Sequence, residues 1–409
     1  MLLQDSPRFQ PNELYPELLG VLGMSPFKGN NSASRDQMFS SHLGQSLVIS
    51  GSSERYIQTG MEREYGKYTF SKKMPVDVDI IRVIPRYPQS IDAVSIRHNP
   101  ETLVIYEDAE TKMVGYMSLP DFFSHHQYFG FPYKRKPVCS RLRTGEHIAK
   151  DTILLDSPSV NDTGGYMPGT EANVAFMSVP GVAEDGLVVR RGFLPKLSFK
   201  TYETRVVEWG SKNFPVNAYG DANHYKPHPD IGDLIREDGL LMALRTYDDM
   251  FAPVEQSVKK TLEVDPIFDT ATYADGPGMK LDGTTYTGRV IDIRVMHDIN
   301  QSTSTPIGME VQTERYDNAR RRFYQEIYSV YQGLVRRHGP KLQTTQEFQQ
   351  LVVDAISVIG AARKKENEYA ERVMMLRRGV PLDDWWVEFV IEYHVTPTIG
   401  FKLTDCHGG

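Results

Sequence analysis

Cysteine is scarce in this sequence, with two residues, Cys139 and Cys406, among 409. Two thiols cannot build the disulfide framework of a small secreted domain or a four-thiolate zinc site. No apolar run approaches the ~20 residues that a membrane-spanning helix needs, and the first residues lack the order of a signal peptide. We therefore expect a reducing compartment, the cytoplasm, and no membrane partner.

An excess of positive charge is also missing, since 46 Lys and Arg face 53 Asp and Glu and the net charge is −7. This balance argues against a protein that coats nucleic acid by bulk electrostatics. A large subunit that confines its positive charge to one groove remains compatible with it. The sequence has neither a Walker-type or GxGxxG phosphate loop nor a nucleophile elbow. Composition and these absences leave the function open.

The patterns that are present predict a mainly β protein of two to four domains with α insertions. Ser34–Leu47 follows an Asn/Ser cluster and has helical spacing. Residues 309–338 and 344–378 contain almost no proline and repeat apolar positions near 3.6 residues, which predicts an antiparallel helical hairpin. Short apolar runs bounded by Gly, Pro and Asp predict strands, among them VDVDIIRVI, TLVIYED, NVAFMSV, GLLMALRTY, GRVIDIRVM and WWVEFVIEYHV. Because strands flank the hairpin, we predict that the last strand completes a sheet begun before residue 200.

Three places carry residue types suited to phosphate or metal chemistry. Glu184 and Asp185 are adjacent carboxylates after a Pro-Gly turn, and such oxygens can hold or orient a divalent cation. Lys402 lies in GFKLTDCHGG, where a lysine followed by His407 and glycines suits contact with a phosphodiester backbone. Arg35 could make forked hydrogen bonds to a triphosphate. The alternatives are a solvated turn, a frayed terminus and an exposed arginine at a helix start.

Other clusters have weaker patterns. HYKPHPD places His224, His228 and Asp230 at metal-like spacing in a Pro-rich loop, so an unrelated metal hydrolase is a further hypothesis. Five arginines of the predicted hairpin could touch nucleic acid, although a solvated helix face is the default; they are Arg320, Arg321, Arg322, Arg336 and Arg337.

Six blocks, in order, resemble the β subunit of multisubunit DNA-directed RNA polymerases. SPFKGNNSASRDQMFSSHLGQSLV and TGMER resemble the family's IPFxxHDDANRxxMxxNMQxQAV and TGMER. GEHIAKDTILLDSPS is similar to GExVxxGDxLADGPS, and NVAFMSVPGVAEDGLVV to NVxVAFMPWxGYNFEDAIxxS. IGDLIREDGLLMALR and YTGRVIDIRVM resemble GDxLVGKV and GxVIDVxVF. The last block, WWVEFVIEYHVTPTIGFKLTDCHGG, resembles VKVYxAxKRxIxxGDKMAGRHGNKG. Each block is short, and the ordered set carries the resemblance.

The resemblance implies a fold with part of a double-psi β-barrel. Its regions would be a fork-like region leading into the barrel (1–150), the first part of the barrel (151–205), a flap or wall β domain (206–305), the hairpin insertion (306–380) and a later barrel strand with the lysine motif (381–409). In this family the hairpin stands where lineage-specific insertions occur, so we expect it to be dispensable for chemistry.

The resemblance also implies roles for single residues. Arg35 falls on the arginine that contacts the incoming nucleotide's phosphates, and Gln45 on the glutamine near nascent RNA. Glu184-Asp185 falls on the acidic pair near the second magnesium ion, as an indirect ligand. Lys402 falls on the first active-site lysine, and the histidine of the family's RHG string corresponds to His407.

The expected cofactor is Mg²⁺, whose principal ligands would come from a β′-like partner, because the family's NADFDGD motif does not occur in this chain. Expected partners are a chain with the β N-terminal half, β′-like chains, a promoter-specificity subunit, template DNA, nascent RNA and nucleoside triphosphates. Divided subunits of this kind resemble the polymerases of giant tailed phages. The location would then be the cytoplasm of an infected bacterium, a phage-made compartment or the virion.

The sequence departs from the family pattern at several positions. Ser34 and Ser41 stand where the family has asparagines, Cys406 replaces an arginine, and the tryptophan after AFMP is absent. These changes bear on contacts to base and sugar. We expect the family's second lysine immediately after Gly409, supplied by a continuation of the polypeptide. The alternative function is a β-like scaffold or virion-interaction protein without chemistry.

Overall fold

A computed structural model of the chain describes residues 20–68, 71–86, 101–126, 129–181, 188–209, 213–221, 225–246, 270–274, 288–297, 309–361 and 385–396. They fold into two compact units. Unit 1 consists of Met1–Ser71, Asp156–Lys200 and Thr396–Gly409. Unit 2 consists of Lys72–Leu155 and Thr201–Val395. The finer five-region division expected from the resemblance stays a prediction.

The secondary structure is mainly β with helices added and includes a curled, half-barrel sheet, which confirms the coarse fold class. The helices are α1 (Ala33–Gly44), α2 (Met61–Tyr68), α3 (Met309–His338) and α4 (Gln346–Ala361). Short 3-10 turns cover Gly20–Met24, Lys28–Asn30, Pro137–Arg141, Arg191–Leu197 and Gly339–Lys341.

The strands come in chain order. They are β1 (Lys72–Lys73), β2 (Val78–Pro85), β3 (Glu101–Asp108), β4 (Val114–Pro120), β5 (Phe122–His126), β6 (Phe129–Pro132), β7 (Lys134–Arg135), β8 (His147–Ile148), β9 (Ile153–Asp156), β10 (Phe199–Trp209), β11 (Asn213–Pro215), β12 (Leu240–Thr246), β13 (Thr270–Tyr273), β14 (Arg289–His297) and β15 (Trp385–Val395). They form sheets in the orders β4-β3-β2-β8, β1-β9-β7, β5-β6, β11-β12-β13 and β10-β15-β14.

The last strand joins a sheet whose first strand lies far back in the chain. β15 stands between β10, which starts at Phe199, and β14, so the prediction of a sheet begun before residue 200 is confirmed. β14 and β15 run antiparallel, with Arg289 opposite Glu392 and His297 opposite Trp385. β15 is the central strand of this sheet, and its residues 387–391 are all buried. Side chains on successive positions of a strand point to opposite faces, so both faces of the sheet are covered here.

The predicted helical hairpin is confirmed over α3 and α4, while residues 362–378 lie outside the described residues. Its connection adds to a sheet edge, since Val114 N donates to Gln343 O and Thr345 N donates to Val114 O, both at 2.9 Å. Thr345 then caps α4 by accepting a hydrogen bond from Phe348 N at 3.2 Å. The hairpin is thereby tied to β4.

The inner face of the hairpin shares a hydrophobic core with the sheet β4-β3-β2-β8. The cluster is made of Ile84, Leu103, Ile105, Val114, Phe323, Ile327, Leu334, Phe348, Val352 and Ala355. Four of these side chains come from the sheet and six from the two helices. Burying them together stabilises both elements, because apolar surface removed from water contributes ~25 cal/mol per Å². The hairpin is therefore a structural cover for the sheet.

One predicted strand is absent. NVAFMSV has no strand assignment, and residues 172–178 are exposed throughout. A strand needs a ladder partner for its backbone groups, and residues 172–178 have no such partner among the described residues. The prediction of a strand was therefore wrong here, although the short apolar run that suggested it is present. In the described part of the chain, no helix has the length and apolar character to cross a membrane.

Candidate functional site

Helix α1 and its C-cap contain the two predicted site residues that the structure describes. Ser32 caps the helix, since its hydroxyl accepts a hydrogen bond from Arg35 N at 3.4 Å, and Ser32 O accepts from the same N–H at 3.0 Å. The Asn/Ser cluster thus starts the helix as the sequence predicted. Arg35 lies in the first turn and is exposed. Its guanidinium Nη1 lies 3.4 Å from the Met38 sulfur, a weak contact that leaves the charge accessible to solvent.

Gln45 directly follows the last residue of α1. It is the C-cap of α1, its N–H donates to the carbonyl oxygens of Ser41 and His42 at 3.2 Å, and it is exposed. Ten helical positions separate it from Arg35, so the two Cα atoms lie ~15 Å apart along the axis at 1.5 Å per residue. The structure places both residues on one helix and does not bring them together.

The buried residue next to Arg35 was missed by sequence reasoning. Asp36 is 6% exposed and accepts hydrogen bonds from Ser25 Oγ at 2.7 Å and from Asn31 Nδ2 at 3.0 Å. Asn31 Nδ2 also donates to Pro26 O at 3.0 Å. A carboxylate in the first helical turn is favoured by the helix dipole. The loop 25–31 and the start of α1 therefore form one hydrogen-bonded unit.

The TGMER block is a helix cap. Thr59 N and Gly60 N donate to the Glu62 carboxylate at 3.1 and 2.9 Å, and Thr59 Oγ1 accepts from Met61 N at 3.3 Å. Thr-x-x-Glu before a helix is the capping-box pattern, a signal that was present in the sequence. Arg55 completes the arrangement, since its Nη1 lies 3.3 Å from Glu62 and donates to Met24 O at 2.7 Å.

Helix α2 is packed closely against the loop that follows β9. A Cβ added to Gly66 would lie 2.1 Å from the Gly164 carbonyl oxygen, a distance that real atoms do not reach. The rings of Tyr65 and Tyr166 meet edge to face with centroids 4.9 Å apart. Burial raises the pKa of Tyr166 to about 12. Glycine at position 66 is therefore required by the approach of two backbones.

The other predicted site residues lie outside the described residues. These are Glu184, Asp185, Lys402 and His407. Their nearest described neighbours, Gly181, Val188 and Thr396, belong to unit 1, as does Arg35. A hydrogen bond joins Thr396 to the segment that follows the acidic pair, because Ser198 Oγ lies 2.8 Å from Thr396 Oγ1.

The segment after α1 is also held to this region. Ser50 N donates to Ser198 O at 2.7 Å, and Gly51 N donates to Lys196 O at 3.0 Å. The segment after α1, the segment after the acidic pair, and Thr396, the described residue nearest to Lys402, therefore meet in unit 1.

Two members of the metal-like triad in HYKPHPD, His228 and Asp230, make structural contacts. The third, His224, lies outside the described residues. His228 Nδ1 lies 2.8 Å from Pro229 O, which can only accept a hydrogen bond. Asp230 accepts from Tyr316 Oη at 2.8 Å and pairs with Arg315. Burial lowers the pKa of His228 to about 4, so the ring is neutral at pH 7. These contacts hold the loop onto α3.

Among the described residues no three His, Cys, Asp or Glu side chains are grouped closely enough to hold a metal ion. The arginines of α3 stand along its outer and flanking faces: Arg322, Arg336 and Arg337 are exposed, and Arg320 and Arg321 are partly exposed. Arg336 and Arg337 lie at the C-terminal end of the helix, where positive charge complements the helix dipole.

A buried ionic cluster in unit 2 was not predicted. Asp292 is 0% exposed and pairs with Arg86 and with Arg294, whose Nε lies 3.1 Å from its Oδ2. Arg294 Nη1 lies 3.3 Å from Glu388, and Arg86 Nη1 lies 3.3 Å from Glu101. Buried charges of this kind need mutual pairing to offset their desolvation. The cluster links β3 and the end of β2 to β14 and β15.

Comparison with known proteins adds no relative, since neither the models of known families nor the curated proteins match this sequence.

Proposed function

We propose that the chain is a β-like catalytic-subunit fragment of a DNA-dependent RNA polymerase, which works within a complex and not as an isolated chain. The observation that carries this proposal is the ordered set of six sequence blocks. The main support from the fold is that Arg35 and the described residues nearest to the acidic pair and to Lys402, namely Gly181, Val188 and Thr396, belong to one unit. That arrangement is expected of residues that serve a single site.

In this function Arg35 binds the phosphates of the incoming nucleotide, and Lys402 neutralises charge on the transferring phosphoryl group. Gln45 and His407 contact the nascent RNA and its phosphates. Glu184 and Asp185 orient a second magnesium ion through indirect contact. The magnesium ions, held mainly by a β′-like chain, would supply further charge neutralisation at the reacting phosphate. We also propose that the acidic pair, Lys402 and His407 lie on part of a double-psi β-barrel, as the resemblance implies.

The surface of unit 1 supports a role inside a larger assembly. Phe176 is 98% exposed and Met177 is 72% exposed, and Val174, Tyr56 and Ile57 are exposed as well. Tyr56 N donates a hydrogen bond to Glu171 Oε1 at 3.0 Å. This bond joins the segment with Tyr56 and Ile57 to the residue that precedes the exposed residues 172–178. Exposed apolar side chains on two segments that are joined by a hydrogen bond fit a protein–protein interaction surface.

The same surface fits the second candidate, a β-like scaffold or virion-interaction protein without chemistry. A tagged chain purified from its native source would separate the two functions through its companions. The polymerase function requires a DFDGD-containing, β′-like chain among them. A scaffold does not require such a chain.

The decisive test is Lys402→Ala in the reconstituted assembly, with Lys341→Ala as the control because Lys341 is an exposed lysine of the hairpin connection. Removing a charge that acts on the transferring group is expected to slow elongation on the order of 10²- to 10³-fold, with assembly intact. The control should elongate normally. Normal elongation by the Lys402 variant, in an assembly that contains it in full amount, would refute the proposal.

A further inference from the structure

Asp36 stands out as a buried carboxylate beside an exposed arginine. Its Oδ1 accepts hydrogen bonds from both Ser25 and Asn31, at 2.7 and 3.0 Å. Asn31 Nδ2 additionally lies 3.4 Å from Ser25 Oγ, which closes a ring of three side chains. All three residues precede or begin α1, so the ring fixes the first turn of that helix to the loop before it.

This ring sets the direction in which Arg35 projects. Successive helical residues are turned by about 100°, so a helix that directs Asp36 into the loop must direct Arg35 away from it. Arg35 is accordingly exposed while Asp36 is 6% exposed. The backbone of Arg35 is held as well, since its N–H donates to Ser32 O at 3.0 Å.

We propose that Asp36 is a positioning residue that acts through Arg35: its buried carboxylate fixes the rotation of α1, so that the arginine is preoriented for a triphosphate. The inference rests on the proposed function of Arg35. Preorientation lowers the cost of ordering a long side chain when the ligand binds. Losing the Asp36 carboxylate should therefore weaken nucleotide binding, and it should do so only when the Arg35 guanidinium is present.

The test is a double-mutant cycle in the reconstituted transcribing assembly, with KM for the nucleoside triphosphate and kcat measured separately. Arg35→Ala and Asp36→Ala are each expected to raise KM on the order of tenfold, with kcat within about twofold of wild type. The KM of the double variant Arg35→Ala/Asp36→Ala should be no higher than that of Arg35→Ala alone, because Asp36 acts only through Arg35. Gln37→Ala, at an exposed position of the same turn, is the matched control and should leave KM unchanged.

Each result decides the inference. An unchanged KM for Asp36→Ala beside a raised KM for Arg35→Ala overturns the positioning role and leaves the proposed function standing. A double variant whose KM increase is the product of the two single increases shows that Asp36 acts independently of Arg35, and it also overturns the role. An unchanged KM for Arg35→Ala overturns the inference together with the nucleotide contact.

A second variant guards against loss of folding by Asp36→Ala. Asn31→Ala removes one donor and keeps the carboxylate, so the first turn of α1 retains the bond from Ser25. It should raise KM by a smaller factor that also vanishes in the Arg35→Ala background. Independence from that background would overturn the role.

Discussion

The packing of the helical hairpin onto the sheet leads to a quantitative prediction. Phe348 of α4 is completely buried in the core shared with β2, β3 and β4, whereas Val353 of the same helix is 54% exposed. Phe348→Ala should cost ~3–5 kcal/mol, since it removes buried apolar surface and leaves a cavity. Val353→Ala should change the stability by no more than ~0.5 kcal/mol, because surface substitutions disturb little.

Thermal unfolding measures the difference. At ~2–4 °C per kcal/mol for a unit of this size, Phe348→Ala should lower the melting temperature by roughly 6–20 °C, and Val353→Ala by at most about 2 °C. Intrinsic fluorescence suits the assay, because the three tryptophans, Trp209, Trp385 and Trp386, lie on β10 and β15 of unit 2. The signal therefore comes from the unit that contains the hairpin.

The result also tests the expectation that the hairpin is a dispensable excursion. Equal melting temperatures for the two variants would refute the packing of α4 on the sheet. A large loss for Phe348→Ala would instead mean that deleting the hairpin exposes the core of the sheet. Any effect of such a deletion on activity would then have to be separated from unfolding.

Three further predictions concern other parts of the chain. Gly66→Ala should destabilise unit 1 by ~1–3 kcal/mol through backbone overpacking, while Gly44→Ala, which meets open space, should not; thermal unfolding of both would decide, and equal stability would refute the close approach. The pKa of His228 is about 4 when folded and ~6.5 when unfolded, so the unfolded chain binds the extra proton between these values. The stability from a neutral His228 is therefore complete above pH ~6.5 and falls by ~3 kcal/mol as pH drops to about 4; in His228→Gln this pH dependence should be reduced, and an unchanged slope would contradict the burial. Glu184→Gln/Asp185→Asn should slow transcription more at low magnesium than at high magnesium, and an unchanged magnesium dependence would count against their indirect role.

Local structure was predictable because its signals are local. The helical spacing of apolar residues identified α3 and α4, and the Asn/Ser cluster identified the start of α1. WWVEFVIEYHV, with its β-branched and aromatic residues, became β15 with the same bounds. The capping box at Thr59–Glu62 could have been found in the same way, since the Thr-x-x-Glu spacing alone predicts it.

The candidate site was predicted in a different manner, through a resemblance that assigns roles residue by residue. The structure adds the exposure of Arg35 and Gln45, their distance apart on one helix, and the buried Asp36. No spacing rule could have identified Asp36, because its partners lie in an irregular loop whose path is set by the fold.

By itself the sequence determined where several helices and strands form, α3, α4 and β15 among them, since periodicity, capping and turn residues act over a few neighbouring positions. Tertiary structure alone decided which elements meet. β15 pairs with a strand that begins at Phe199, Arg86 pairs with Asp292 across 206 positions, and the hairpin covers a sheet made of residues 78–148. The apolar pattern of NVAFMSV is that of a strand, yet it has no ladder partner in the described part of the chain. Pairing over such separations depends on which of many similar apolar faces bury the most surface together, and a local pattern does not contain that choice.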